Sequence, residues 1–307
     1  MKKKSVIVGG TIAIDNVKTP SAEASNLLGG SAAYASLATS FYHDSVNLVG
    51  IIGHDYPQEH LDMLSSHGVN LAGVERSDSA SFTWSGEYME NMNDRETHAV
   101  ALNVLEGWEV KVPSEISESQ IVVLANMSPE NQLQMLEGCE SAERYVIADT
   151  MDLWIAIATE KLHEVLEKID LLVINESEAR EFAQTSNLVL AGERLLAKGP
   201  EHVIIKLGEF GAMLFAKGGE VFRCPAWPLR EVADPTGAGD SFLGGMAGYL
   251  ASLDSVAFSF DDLRQAMVRG TVAASYTCEA FSTQKLQSIE RADLDARMEK
   301  LKAISTW

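Results

Sequence analysis

The sequence predicts a three-layer α/β/α fold with a mostly parallel central sheet and a small β lid. Three observations predict it. Short apolar runs bounded by turn residues alternate with amphipathic stretches along much of the chain. Two segments, Thr11–Val17 and Glu75–Leu105, interrupt that rhythm with polar and apolar residues in alternation. From Thr236 onward the pattern is mostly helical. Alternating strand and helix signals imply a parallel sheet covered on both faces. Period-two alternation marks a sheet with one wet face.

Taken in order, Ser5–Val8 reads as a buried strand ending at Gly9-Gly10, and Ser31–Tyr42 as a helix. Val46–Ile51 reads as a strand and Gln58–His67 as a helix. Ile121–Ala125, Tyr145–Ala148, Leu171–Ile174 and Val203–Leu207 are the later strands. Leu133–Gly138, Lys161–Lys168, Glu176–Gln184 and Leu188–Lys198 are the helices among them. Met213–Phe215 and Val221–Arg223 flank Gly218-Gly219 as a hairpin near the sheet edge. Ligands of open α/β sheets sit at the carboxyl ends of the strands, so a small sheet standing there is a lid. No repeat, low-complexity tract or linker divides the chain. It reads as one domain over 1–307, with lid segments near 11–17 and 75–105.

A chain of 307 residues, 46% hydrophobic and 22% charged, buries a sizeable core. The net charge of -20 argues against nucleic acid and anionic membrane surfaces as partners. It also opposes long-range capture of a polyanion, so an anion site must rest on local amides, one or two cations and Mg²⁺. Cys139, Cys224 and Cys278 show no paired spacing, as expected of a reducing cytoplasm. Lys2-Lys3-Lys4 precedes an apolar run too short for a signal peptide. No segment reaches the roughly 18 apolar residues of a membrane span.

The most informative stretch is Asp234-Pro235-Thr236-Gly237-Ala238-Gly239-Asp240-Ser241-Phe242. Three small residues let the backbone approach a ligand, and an apolar run with helical character follows. Unpaired N–H groups and the positive dipole end at a helix start attract an anion. An acid there repels phosphate, so Asp240 makes sense as a base that takes a hydroxyl proton while neighbouring amides hold developing charge.

This stretch closely resembles the second signature of the PfkB, or ribokinase-like, family of carbohydrate and nucleoside kinases. Pro235 departs from the Thr usual there, ahead of the amides of Gly237, Ala238 and Gly239. Gly29-Gly30-Ser31-Ala32-Ala33-Tyr34 resembles the first signature, in which glycines meet a substrate hydroxyl and Asn often stands in place of Tyr34. The family's diol-binding Asp corresponds to Asp15. Asn175-Glu176-Ser177-Glu178 matches the Asn-x-x-Glu motif that organises Mg²⁺ and phosphate, and also has capping-box character. Lys206-Leu207-Gly208-Glu209-Phe210-Gly211 resembles the nucleotide-binding strand and turn, and Gly270–Phe281 the segment against adenine. Asp149-Thr150-Met151 borders the phosphate site. The resemblance runs from Val6 to about Leu286 and implies a ribokinase-like fold.

The activity it implies is transfer of the ATP γ-phosphoryl to a primary alcohol, with Asp240 as base and an anion hole at Gly237–Gly239. Mg²⁺ would sit near Glu178, and a monovalent cation such as K⁺ near Asp234 and Thr236. A homodimer through the lid occurs among relatives. The second lid segment holds Glu87, Glu90 and Asp94 against a single Arg95, which disfavours a sugar phosphate and favours a neutral acceptor. Trp84, Tyr88, Met89 and Met92 either stack on a base or sugar or pack the lid itself. Nucleoside and free sugar both remain open. The alternatives are a sugar-phosphate kinase and a catalytically silent regulator on the same fold. The Gly-x-Gly-x-x-Gly and P-loop motifs of dinucleotide enzymes and P-loop kinases are absent.

Overall fold

The structure, a computed structural model, describes residues 4–306. Lys2 and Lys3 of the basic start lie outside the described residues. The chain begins with β1 (Val6–Gly9), β2 (Ala13–Lys18), β3 (Glu23–Gly29), α1 (Ser31–Ser40), β4 (Val46–Ile52), α2 (Gln58–Ser66) and β5 (Val69–Arg76). There follow β6 (Phe82–Tyr88), β7 (Arg95–Ala101), β8 (Ile121–Leu124), α3 (Pro129–Gly138), β9 (Tyr145–Asp149), α4 (Asp152–Ile157) and α5 (Thr159–Leu166). Next are β10 (Leu171–Asn175), α6 (Glu176–Ala183), α7 (Leu188–Leu196), β11 (His202–Lys206), β12 (Ala212–Ala216) and β13 (Val221–Cys224). The rest is helical: α8 (Ala238–Ser252), α9 (Phe260–Thr277), α10 (Gln284–Gln287) and α11 (Arg291–Ser305).

Nine strands form one sheet in the order β13-β12-β11-β10-β9-β8-β1-β4-β5. The strands from β11 to β5 run parallel, and β12 and β13 add the expected antiparallel hairpin at one edge. Central strands such as β1 and β8 are apolar on both faces because both faces are covered. Side chains alternate across the sheet: Val6 and Val8 of β1 join the core beneath α1, α8 and α9, while Ile7 joins the core beneath α3, α5, α6 and α7.

A second sheet, β3-β2-β6-β7, is built from the interrupting segments. Its composition differs from the sequence expectation in two places. Glu75 and Arg76 belong to β5, which pairs parallel with β4 in the large sheet. The fourth strand is β3, whose exposed start and left-handed Asn26 (φ 56°) break the alternation that would have marked it. β2 follows β1 after three residues, so the second sheet grows out of the carboxyl end of a central strand.

α1 and α8 pack in close contact over the large sheet. A Cβ at Gly244 would lie 2.1 Å from the Ala35 carbonyl oxygen, and one at Gly248 2.5 Å from that of Thr39. The Thr39 hydroxyl donates to the Gly244 carbonyl at 3.0 Å. Glycine inside a helix costs roughly 1 kcal/mol against Ala. Here it lets two backbones touch.

Candidate active site

The site forms where α8 begins. Gly237 is its N-cap, in the left-handed region at φ 75°, so Ala238, Gly239 and Asp240 make the first turn. The Ala238 N–H donates to the Pro235 carbonyl at 3.1 Å and is spent within the turn. Of the three predicted anion-hole amides, Gly237 and Gly239 are left to face a ligand. Asp234 is fully buried and holds the turn from below. Its carboxylate accepts from the Thr236 N–H at 2.9 Å and the Ser282 N–H at 3.1 Å.

Asp240 points from the first turn into a field of like charge. Burial, then the Asp149 carboxylate, push its carboxyl up to about 6, against the pull of Lys206 and Arg95. Lys206 ends β11 beneath the helix start: a Cβ at Gly239 would lie 2.9 Å from Lys206 Nζ. That ammonium bonds Asp149 Oδ2 at 3.2 Å. Burial works against its charge, but Asp149, Glu178 and Asp240 outweigh burial and hold it above its usual range.

Asn175 and Glu178 form the capping box that opens α6: Glu178 N donates to Asn175 Oδ1 at 2.9 Å and Asn175 N to Glu178 Oε2 at 3.0 Å. Burial and Asp149 push the Glu178 carboxyl up to about 7. Asp149, Glu178 and Asp240 thus converge on one ammonium, so acidic groups outnumber the cations beside them. The neighbouring Thr150 hydroxyl is buried without a partner. Hard oxygen donors with excess negative charge fit Mg²⁺, which is often held through one or two carboxylates together with substrate phosphates. Among the described residues no group of three His, Cys, Asp or Glu is arranged as a complete metal cage.

On the other side, β2 carries Asp15 and β3 ends in Gly29. Ala13 and Gly29 are register partners, so the two strands converge before α1. Asp15 is buried; burial first, then Asp234 and Asp240, push its carboxyl up to about 8. Gly30, at φ 91°, is the N-cap of α1 and touches Thr11 and Ala13. Tyr34 is buried, with its ring against Gly237. The structure therefore brings Asp15, Gly29, Gly30 and Tyr34 to the same place as Gly237, Ala238, Gly239 and Asp240. Asn175, Glu178 and Lys206 stand on the opposite flank.

The turn after β11 is less uniform. Gly208 (φ 56°) faces the second sheet: a Cβ there would lie 3.1 Å from Asn93 Oδ1 in the β6–β7 turn. Gly211 lies against Cys224, where a Cβ would come within 2.0 Å of its carbonyl oxygen. The neighbouring strand by itself accounts for that glycine. Trp84, Tyr88 and Met92 pack with Val17, Leu27 and Phe281. Arg95 opens β7 and acts on Asp240 across the cleft. It was visible in sequence only as a lone cation in an acidic segment, since its reach depends on pairing opposite Tyr88. A separate cleft of about 560 Å³, lined by His163, Phe182 and Lys198 among others, lies at the far end of α6 and shares none of these groups.

The profile described as pfkB family carbohydrate kinase matches residues 4–290. A cytidine kinase from Thermococcus kodakarensis is 27% identical over 248 residues, 80% of this chain and 88% of that protein. A Burkholderia thailandensis nucleoside kinase solved with inosine superposes with TM-score 0.78 at 21% identity, covering 96% and 97% of the two chains. A protein from E. coli solved with ATP and Mg²⁺ gives TM-score 0.78 at 16% identity over 97% and 99%. No helix among the described residues is long and apolar enough to cross a membrane. Continuous over nearly its whole length with that family's profile and fold, the chain belongs to the pfkB family of carbohydrate kinases.

Proposed function

We propose that the protein transfers the γ-phosphoryl group of ATP to a primary hydroxyl of a neutral nucleoside or sugar. The observation that carries this is the convergence of Asp15 and Asp240 on the amide-bearing start of α8. The Asp15 carboxyl can hold two vicinal hydroxyls while the Asp240 carboxylate takes the proton of a third. The acceptor oxygen bonds to the γ-phosphorus as the bond to ADP breaks. The departing electron pair stays on the ADP oxygen, and the hydroxyl proton ends on Asp240. Phosphoryl transfer asks the protein chiefly for position and charge compensation. The Gly237 and Gly239 amides and Lys206 supply the charge compensation. Mg²⁺ held at Glu178 and Asp149 would screen the phosphate oxygens. Asn93 against Gly208 and Arg95 toward Asp240 support a lid role for the second sheet, which would keep water from the γ-phosphorus.

Nucleosides are the first acceptors to test, because the cytidine kinase relative aligns over most of both chains. ADP production should be measured with Mg-ATP over nucleosides, free sugars and sugar phosphates, beside an Asp240→Asn control. Turnover on a neutral acceptor that vanishes in the control supports the reading. Turnover only on a sugar phosphate overturns the neutral-acceptor assignment. Acceptor binding without turnover returns the silent regulator. A K⁺ requirement is read in the same assay by exchanging K⁺ for tetramethylammonium.

A further inference from the structure

Tyr34 stands where the resemblance leads one to expect a small polar substrate contact, and the structure gives it a different set of neighbours. Its ring lies flat against the anion-hole glycine: a Cβ at Gly237 would be 2.4 Å from Tyr34 Cδ1 and Cε1 and 2.5 Å from Cγ. The residue is 1% exposed. It caps the α1–α8 seam, above the contacts of Gly244 and Gly248 with Ala35 and Thr39. Ser282, itself buried, ties the same turn to the acceptor side. Ser282 takes up the left-handed conformation (φ 53°) and donates its own N–H to Asp234 at 3.1 Å. Its hydroxyl donates to the Leu28 carbonyl of β3 at 2.6 Å. Asp234 in turn holds the Thr236 N–H, and the Thr236 hydroxyl donates to the Tyr88 hydroxyl of β6 at 3.3 Å.

We infer that Tyr34 is a positioning residue for the anion hole: its ring backs Gly237 in the left-handed conformation, in the same turn that Asp234 and Ser282 tie to the acceptor side of the cleft. The physical argument is one of preorganisation. A left-handed N-cap whose Cα has no side chain of its own is held only by what packs on it, and donors aimed at developing charge lose their effect when free to reorient. Acceptor-side strands and phosphate-side turn then share one buried hydrogen-bond chain, and buried networks of this kind specify a single arrangement when every member is paired. The catalytic consequence rests on the kinase reading above; the structural link does not.

The experiment uses the full chain, as wild type, Tyr34→Phe and Tyr34→Ala. The Phe variant keeps the ring and removes the hydroxyl; the Ala variant removes both. Turnover of the best acceptor should stay within about threefold in Phe, which keeps the ring against Gly237. In Ala it should fall on the order of 10²-fold, as for one misplaced anion-hole donor. Acceptor KM and ADP affinity should stay within about threefold in both. In parallel, protein labelled with ¹⁵N-glycine should show the Gly237 and Gly239 amide signals moved or broadened in the Ala variant and in place in the Phe variant. Those of the distant Gly68 and Gly107 should stay in place. A raised acceptor KM with unchanged kcat would make Tyr34 a substrate wall and overturn the inference. So would a lowered Tm with unchanged kcat and unmoved glycine signals in the Ala variant. Should the wild type itself not turn over any acceptor, the kinase reading fails, and the glycine signals still decide the link.

Discussion

The carboxylate of Asp15 fills the space in front of Gly29: a Cβ added to that glycine would lie 2.1 Å from Asp15 Cγ and 2.2 Å from Oδ2. A methyl group there would displace the carboxyl group proposed to hold the acceptor diol. Gly29→Ala is expected to raise acceptor KM about tenfold or more, the loss of the Asp15 hydrogen bonds to the diol, with ADP affinity within about twofold. Steady-state kinetics in acceptor and equilibrium titration with ADP measure the two. Equal loss of both affinities would mean that the substitution disturbs the whole cleft.

Asp240 must be a carboxylate to accept a proton, and its carboxyl titrates near 6. Turnover should therefore fall as pH drops through about 6 and level off above it. Asp240→Asn should lower kcat by ~10²–10⁴-fold. An Asn variant that keeps the acid limb would assign that limb to another group.

Lys206 is one of two cations that pull the Asp240 carboxyl down. Lys206→Met removes that pull, so the acid limb of the pH–rate profile should move to higher pH. ADP should also bind less tightly, since the ammonium lies beneath Gly239. A profile that stays in place while ADP affinity falls would leave Lys206 a phosphate contact only.

Asp15 links binding and stability with opposite signs. Its carboxyl is raised to about 8, so between the ordinary Asp range and pH 8 the folded chain holds a proton that the unfolded chain has lost. Stability then declines as pH rises through that window. Asp15→Asn should raise Tm by several degrees at pH 9, leave it nearly unchanged at pH 4, and abolish acceptor binding. Thermal melts across pH read the first two and acceptor titration the third. A pH-independent change in Tm would show that the carboxyl titrates normally.

Gly244 tests the seam rather than the chemistry. A methyl group there meets a backbone carbonyl, which cannot rotate away. Gly244→Ala should cost at least ~1–3 kcal/mol of stability, the usual range for overpacking, despite Ala being the better helix former. Urea melts measure it, and a stabilised variant would refute the contact.

Much of this was legible before the structure because it is local or periodic. Val6–Val8 and Ile121–Leu124 are apolar at every position since both faces of their sheet are covered. The anion turn shows itself as three small residues before an acid. What could not be read depends on contacts between distant segments. β3 hides its pairing behind four exposed or half-exposed residues and a left-handed Asn26. Tyr34 meets Gly237 only because α1 and α8 pack backbone to backbone, and Arg95 reaches Asp240 only through the register of β6 and β7. The capping box at Asn175 and Glu178 was ambiguous in sequence because one pattern serves both purposes; the structure shows the cap, and the burial of Glu178 beside Asp149 is what marks it out.

The second sheet draws β2 and β3 from one stretch of chain and β6 and β7 from another, with α1, β4, α2 and β5 between them. β2 and β6 run side by side in the same direction. Such a sheet has no contiguous coding segment, so it cannot be exchanged between relatives as a cassette or excised without severing β1 from α1. Any change in this sheet must therefore keep a strand pairing that neither stretch can make alone.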